Sequence, residues 1–274
     1  MILVVASNKD PASLNIREQV LTHYRFNEAV ERFQENAIHA CRANGKDVKL
    51  ITLSQESVQA QDLTSSFSEP ELVLFISRHS STSGTPTLSV HTPGNLGPAE
   101  LGGNPREVSV SPANAIRDAL KVMAKLREEM GLRYEVSYEG THHGPSLSVP
   151  TMFAELGSSQ IQWKDTSAAQ VVAHAAMEAV SRFGNFSAET VLGIGGPHYN
   201  RKFTRIALEK EVAFGHMIPK HFVSQIDSEI IQQCIRKTLE KVAHAVLDWK
   251  GIRGEDKPRL IEMLNRTGLH IQKV

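Results

Sequence analysis

Apolar runs that are continuous rather than alternating recur along this chain, and they constrain its fold more than any other feature. Ile2–Ala6, Val48–Leu53, Leu72–Ser77, Leu88–His91, Tyr134–Tyr138 and Thr190–Ile194 read as strands. A strand that is apolar on both faces must be covered on both, which helices do in α/β folds. Helical signals lie between the runs. Asp10-Pro11 pairs an N-cap with a proline suited to a first turn. The stretch from about Asn27 to Ala43 predicts a second helix, with Val30, Phe33, Ala37, Ile38 and Cys41 on one stripe and Gly45 as its stop. Ser111-Pro112 opens a third that ends at Gly131. A fourth is expected over about 167–183 behind a Ser167…Gln170 capping box, a long one over 228–249, and a short last one near 258–267. Strands alternating with helices predict an α/β fold around a mostly parallel sheet, as one domain over 1–274.

Two stretches depart from the alternation. Residues 77–112 are rich in Ser, Thr, Gly, Pro and Asn around the Leu88–His91 run, and residues 139–165 show no clear helix at their start. Long loops in a compact α/β domain are either binding loops or plain surface insertions.

Composition narrows the function. Thirty Lys and Arg balance thirty Asp and Glu, which excludes a bulk polycation. Residues 198–274 nevertheless hold 14 Lys and Arg against 9 Asp and Glu, a net +5 that suits contact with phosphates. No apolar run approaches the roughly 18 residues a membrane span needs, and Met1–Ser7 lacks the basic start of a signal peptide. Cys41 and Cys234 sit at apolar helical positions, so neither a disulfide scaffold nor a thiolate zinc site is expected, and a cytoplasmic setting is. Twelve histidines stand against these two cysteines.

The histidines are placed where chemistry gathers in α/β sheets, in loops past the carboxyl ends of strands. One strand runs into Arg78-His79-Ser80, another into His91-Thr92-Pro93-Gly94-Asn95. A third runs into Glu139-Gly140-Thr141-His142-His143-Gly144-Pro145, and a fourth into Gly195-Gly196-Pro197-His198-Tyr199. Imidazole is the commonest zinc ligand, and without paired cysteines a site here would be built of His and carboxylates with a position left open. Glu155, between Met152, Phe153, Ala154 and Leu156, is a candidate ligand or base; its plainer alternative is a solvated glutamate at a helix start. His174, His244, His23 and His39 fall on predicted helices and are set aside. His216 and His221 bracket a loop, and Gly215 before His216 permits close approach.

Other mechanisms lack their motifs. There is no G-x-S-x-G elbow and no HExxH, and the start Gly193-Ile194-Gly195-Gly196 fails as a dinucleotide fingerprint because His198 occupies the third glycine's place. A Walker A lysine is absent as well, so no nucleotide cofactor is expected. Gly195 and Gly196 read instead as residues that let a ligand approach the backbone.

Taken together, Ser7…Asp10-Pro11-Ala12-Ser13, Ser77-Arg78-His79-Ser80-Ser81 and Ser89-Val90-His91-Thr92-Pro93-Gly94-Asn95 resemble the archaeal and plant type of D-aminoacyl-tRNA deacylase. So do the Glu139–Pro145 run, Pro150…Glu155-Leu156-Gly157-Ser158 and Gly195-Gly196-Pro197-His198-Tyr199. The resemblance implies a zinc-dependent esterase that removes D-amino acids from the 3′ end of tRNA, with a broad side-chain range. It also implies a fold similar to the phosphorylase/peptidyl-tRNA hydrolase type, an α/β sandwich around a mixed sheet. The strand-end argument then supplies the site: His79, His91, His142 and His198 as ligands for zinc, as one ion or two, and Glu155 and His143 as general bases. Arg78 is placed to stabilise the oxyanion or hold the terminal phosphate. Arg201, Lys202 and Arg205, with Lys210 and Lys220, are placed to guide the acceptor end of aminoacylated tRNA; Gly195, Gly196 and His216 complete the expected contacts. A monomer is the expectation. A zinc peptidase or amidohydrolase using the same histidines is the first competing reading, and a non-enzymatic tRNA- or metal-binding protein the second.

Overall fold

The computed structural model describes residues 1–274. The first half runs β1 (Ile2–Ser7), α1 (Pro11–His23), β2 (Asn27–Phe33), β3 (Asn36–Ala43), β4 (Lys46–Leu53), β5 (Leu72–Ser80), β6 (Thr87–His91) and α2 (Ala113–Glu129). After it come β7 (Glu135–Tyr138), β8 (Thr151–Ser158), α3 (Gln160–Trp163), α4 (Thr166–Arg182) and β9 (Glu189–Gly195). The chain ends with α5 (Arg201–Glu209), β10 (Val212–Ile218), α6 (Ser228–Arg236), β11 (Val242–Asp248), α7 (Lys257–Asn265) and β12 (His270–Lys273). No helix is long and apolar enough to cross a membrane.

The strands form two sheets rather than the one expected. The first has eight strands in the order β2-β3-β4-β1-β5-β8-β6-β7, and the second has four in the order β10-β9-β11-β12. In the first sheet β4, β1, β5 and β8 are parallel, and the edges on both sides bring in antiparallel pairings. The second sheet is parallel throughout. The architecture is therefore mixed α/β, mostly parallel and flanked by helices. The continuous apolar runs explain it: β1 and β8 are buried along their whole length.

One cluster of 39 buried residues joins α1, α2 and α4 to the first sheet and also takes in Val191, Phe203, Phe214 and Val246 from around the second. A second cluster of 17 seats α6 and α7 on the far face of the small sheet. The opposite face of the large sheet carries Leu3, Val5, Phe75 and Phe153. α2 packs on both sheets, touching β6, β7 and β10.

The fold corrects several sequence expectations. Residues 27–43 form the hairpin β2–β3, and Val30, on the supposed apolar stripe, is 98% exposed. Its turn is made by Gln34 and Glu35, both left-handed at φ 48° and 65°, without the Asn-Gly or Asp-Gly that usually marks such a turn. Asn44-Gly45 (φ 46° and 80°) does carry that signature, and it turns β3 into β4 rather than stopping a helix. The expected 228–249 helix ends at Arg236, and Val242–Asp248 forms β11. Within the expected 139–165 loop lies β8, with every residue buried, so Glu155 is a strand residue and not a helix-start glutamate. Asp165 caps α4, and the capping box is instead at Ser159 and Gln162 of α3.

At the start of α2, Pro112 occupies the cap position without a capping side chain. Glu240, from the turn before β11, accepts from Ala113 N and Asn114 N at 3.0 Å each. A carboxylate at a helix N-terminus satisfies orphan donors and the helix dipole together. Here it also ties the two sheets. Glu240→Ala is expected to lower stability by about 2 kcal/mol, at the upper end for a lost cap. The check is a lower urea midpoint with an unchanged m-value.

Candidate active site

Strand alternation aims the site. β5 and β8 pair in parallel with Ser77 opposite Glu155 and His79 opposite Gly157, while β6 pairs antiparallel with Ser89 opposite Glu155 and His91 opposite Phe153. Residues opposite one another, or two apart, share a face of the sheet. Ser77, His79, His91 and Glu155 therefore stand together on the face away from α1, α2 and α4. Gly157 makes the room: a Cβ there would lie 2.5 Å from His79 Cδ2. The imidazole of His91 stacks on Phe153 at 5.0 Å, which sets its plane.

Three segments close over this face. Glu139 follows β7 and is wholly buried. His142 and His143 come from the loop behind it. His198 and Tyr199 come from the loop after β9, joined to the first sheet by Gly140 N donating to His198 O at 2.9 Å. Glu139 lies at the centre: its Oε1 is 3.3 Å from His79 Nδ1, and its Oε2 is 3.1 Å from His198 Nε2 and 3.6 Å from His142 Nε2. Glu155 accepts from Ser77 Oγ at 2.6 Å and stands 3.7 Å from both His79 Nδ1 and His91 Nε2. Tyr199 Oη is 3.0 Å from His79 Nε2.

The electrostatics follow from burial against pairing. Burial alone would depress His79, but Glu139 and Glu155 outweigh it and raise its pKa to about 10. Burial would likewise raise both carboxylates. For Glu155 the His79 and His91 imidazoles prevail and bring it to about 2, and for Glu139 chiefly His79 and His198 hold it well below the usual carboxylate range. His143 is pushed the other way, to about 4, by burial and then by His91, and His142 is lowered for the same reasons together with His143.

The tautomers matter. His142 Nδ1 is 2.9 Å from Gly140 O, and His143 Nδ1 is 2.7 Å from Gly144 O. A carbonyl only accepts, so each Nδ1 carries its hydrogen and each Nε2 presents a lone pair. His142 Nε2 then faces Glu139 Oε2 acceptor to acceptor. Both His91 nitrogens and Glu139 Oε1 are buried without a hydrogen-bond partner. Such an arrangement is satisfied by a cation among the acceptors, and imidazoles anchored through the other ring nitrogen are the usual form of metal ligand. Three sets have the reach: His91, His142 and His143; Glu139, His142 and His198; and His79, Glu139 and Glu155, the donor atoms of each lying within 4.8 Å of one another.

The expected site residues therefore divide. His79, His91, His142, His143, Glu155 and His198 meet in one cluster. His79 has carboxylates at one ring nitrogen and a phenol at the other, which makes it their partner before it is a ligand. Arg78 stands apart from the imidazoles at the rim of the cavity over the site, where it donates to Glu56 Oε1 and Lys9 O at 3.0 Å and lies over Trp163. Arg201 is paired through two hydrogen bonds with Glu135, and Lys202 with Asp248, while Arg205 is exposed on α5. His216 is a correction: it is fully buried between Thr141 Oγ1 and Lys237 O and offers no surface to a substrate. Gly195 and Gly196 are corrected too. Both have positive φ, and Cβ atoms there would meet Ile252, Asn200 and Asp248, so the close approach they allow is to the protein's own chain. Sequence reasoning quoted Glu139 only as the start of a loop and missed Tyr199; what signalled Glu139 was a carboxylate directly after the buried Tyr138.

A cavity of about 480 Å³ opens onto Glu139, His142, His143, Glu155, His198 and Tyr199. Buried carboxylates and neutral imidazoles facing one cavity make a hydrolytic metal site the chemistry this arrangement suits. The D-aminoacyl-tRNA deacylase family model matches residues 66–272. A D-aminoacyl-tRNA deacylase of Pyrococcus furiosus is 34% identical over 279 residues, covering 100% of both chains. One from Methanococcus maripaludis is 34% identical over 282 residues, covering 99% of each. The crystal structure of a conserved protein of unknown function superposes with a TM-score of 0.88 at 28% identity, covering 100% of this chain and 95% of that one. The chain belongs to the D-aminoacyl-tRNA deacylase family.

A pH dependence follows from His79. Its folded pKa of about 10 lies above the ordinary 6.5, so its contribution to stability is complete below about pH 6.5 and is lost as pH rises toward 10. With chelator-treated protein, the stability difference between wild type and His79→Gln should be larger at pH 6 than at pH 10, read from urea midpoints at each pH.

Proposed function

We propose that this chain hydrolyses the ester between a D-amino acid and the 3′-terminal ribose of tRNA, using a zinc ion held in the histidine cluster. The observation that carries the reading is the acceptor-to-acceptor contact of His142 Nε2 with Glu139 at 3.6 Å, in a family whose substrate is an already labile ester. His91, His142 and His143 on one side, and Glu139, His142 and His198 on the other, are the residues that would hold zinc; His142 belongs to both sets but offers one lone pair, at Nε2, so it would serve a single ion and any second ion would rest on the remaining residues of the other set. Zinc bound there supplies Lewis-acid polarisation of the ester carbonyl.

The chain's own residues do the rest. His143, neutral near pH 7, presents Nε2 as an acceptor beside the cavity and suits the general base where it is not a ligand. Glu155 stays ionised and holds His79 and His91 in orientation. Tyr199, at the cavity wall against His79, has a hydroxyl within reach of a developing negative charge. Arg78, engaged by Glu56, lines the cavity as a support for its rim. The cavity volume accommodates side chains of different sizes, which supports a broad D-amino-acid range and a role in clearing mischarged tRNA during translation.

Incubation with D-Tyr-tRNA and L-Tyr-tRNA, after chelation and then zinc addition, tests this. The expected result is chelator-sensitive release from the D-ester only, restored by zinc. His142→Ala should lower both zinc stoichiometry and kcat/KM, the latter by 100-fold or more, since ligand loss exceeds the roughly 10–100-fold of second-sphere changes. Release that survives chelation, or full zinc content in His142→Ala, contradicts the metal assignment. No release from either ester contradicts the deacylase reading.

A further inference from the structure

Two further cavities adjoin the active-site cleft, each sharing lining residues with the one before it. The first, about 370 Å³, is lined by His142, His143, Leu96, Pro98, Leu101 and Phe222. Phe222 is half-buried and lines this cavity; a Cβ on Gly97 would lie 3.3 Å from its Cε1, and the His221 ring lies beside it with centroids 4.6 Å apart. His221 borders this cavity and also the next, of about 280 Å³, which is rimmed by Lys220, Lys250 and Arg253.

These cations sit past the carboxyl ends of β10 and β11, on the edge of the small sheet that delivers His198 from β9. Their loops are locked together by main chain: Lys220 N donates to Gly196 O at 2.9 Å, and a Cβ on Gly251 would lie 2.8 Å from Gly196 Cα. Their charge is uncompensated. Lys220 and Lys250 have no carboxylate partner, and Arg253 reaches only Glu255 at 4.0 Å with both side chains exposed. Arg201 and Lys202 on α5, by contrast, are neutralised by Glu135 and Asp248.

An aromatic platform beside the reactive cluster, leading to a row of free cations, is the pattern that binds single-stranded nucleic acid, through base stacking and backbone phosphates. We propose that the 3′ end of the tRNA enters along this side, with the terminal base on Phe222 and the preceding phosphates on Lys220, Lys250 and Arg253, rather than across α5. This assignment rests on the deacylase reading and places its substrate.

The test compares two triple variants, Lys220→Ala/Lys250→Ala/Arg253→Ala and Arg201→Ala/Lys202→Ala/Arg205→Ala. Binding of uncharged tRNA is measured over a KCl series, and KM with D-Tyr-tRNA. Each lost single-strand phosphate contact lowers the salt slope by about 0.7, so the first triple should lower it by about 2 and the second by less than about 0.7. The charge-keeping Lys220→Arg/Lys250→Arg/Arg253→Lys variant should restore the slope, separating charge from folding. Phe222→Ala should raise KM about tenfold, as expected for one lost stacking contact, and Phe222→Trp should recover it. A slope loss carried by the α5 triple, or shared equally by both, overturns the assignment, as does an unchanged KM in Phe222→Ala. Failure of the wild type to release D-tyrosine would instead strike at the deacylase reading itself.

Discussion

Glu139 is a carboxylate with no access to solvent, and the meeting of the two sheets depends on how its charge is satisfied. An ionised group buried without partners costs several kcal/mol, whereas ion pairs exposed to solvent contribute at most about 1 kcal/mol. The larger quantity decides the architecture. Glu139 is surrounded by His79 from β5, His142 from the loop behind it, and His198 from the second sheet. Each histidine comes from a separate segment, and each has its second ring nitrogen, or its neighbouring main chain, fixed by a further hydrogen bond. The site is thus a joint between the sheets as well as a reactive centre, and its chemistry and its folding draw on the same few contacts.

How much of this was legible in the sequence depends on what each residue's neighbours are. The runs at β1, β5, β6 and β9 were readable because both faces are apolar and no charge interrupts them. β8 was not, because Glu155 stands in its middle; only a partner strand carrying Ser77 and His79 makes a carboxylate acceptable there. The hairpin β2–β3 was read as a helix because Val30, Phe33, Ala37 and Ile38 match a spacing of three and four, and the turn at Gln34-Glu35 has no glycine to betray it. Asn44-Gly45 was the available clue, since a glycine that stops a helix and one that turns a hairpin look alike until the preceding asparagine is weighed. The end of α6 was hidden because Ile231, Ile235, Leu239, Val242 and Val246 keep a helical spacing of three and four, although the consecutive run Ala245-Val246-Leu247 fits a buried strand as well.

Within the site, the histidines at strand ends were legible by position alone. Their division of labour was not, because it is set by distances across the sheet: His79 is distinguished from His142 by two carboxylates that lie 60 and 76 residues later in the chain. His216 carried the same residue type and a preceding glycine, yet Gly215 there packs its backbone against Thr238, and the imidazole ends in a wholly protein environment.

Gly157 bears on a different matter, the alignment of neighbouring strands. Sliding β8 by two residues along β5 would keep each of its apolar side chains on its own face, so burial by itself distinguishes poorly between the two alignments. Such a slide would nevertheless carry Glu155 about 7 Å along the strand, out of its place opposite Ser77. Opposite His79 only a residue without a side chain leaves space for the ring, and Glu155 or Ser159, the residues a two-residue slide would bring there, would collide with it. The missing methyl group at position 157 therefore acts as an index mark: it converts a sheet that folding alone could assemble in more than one way into the single alignment in which the acids and the imidazoles meet.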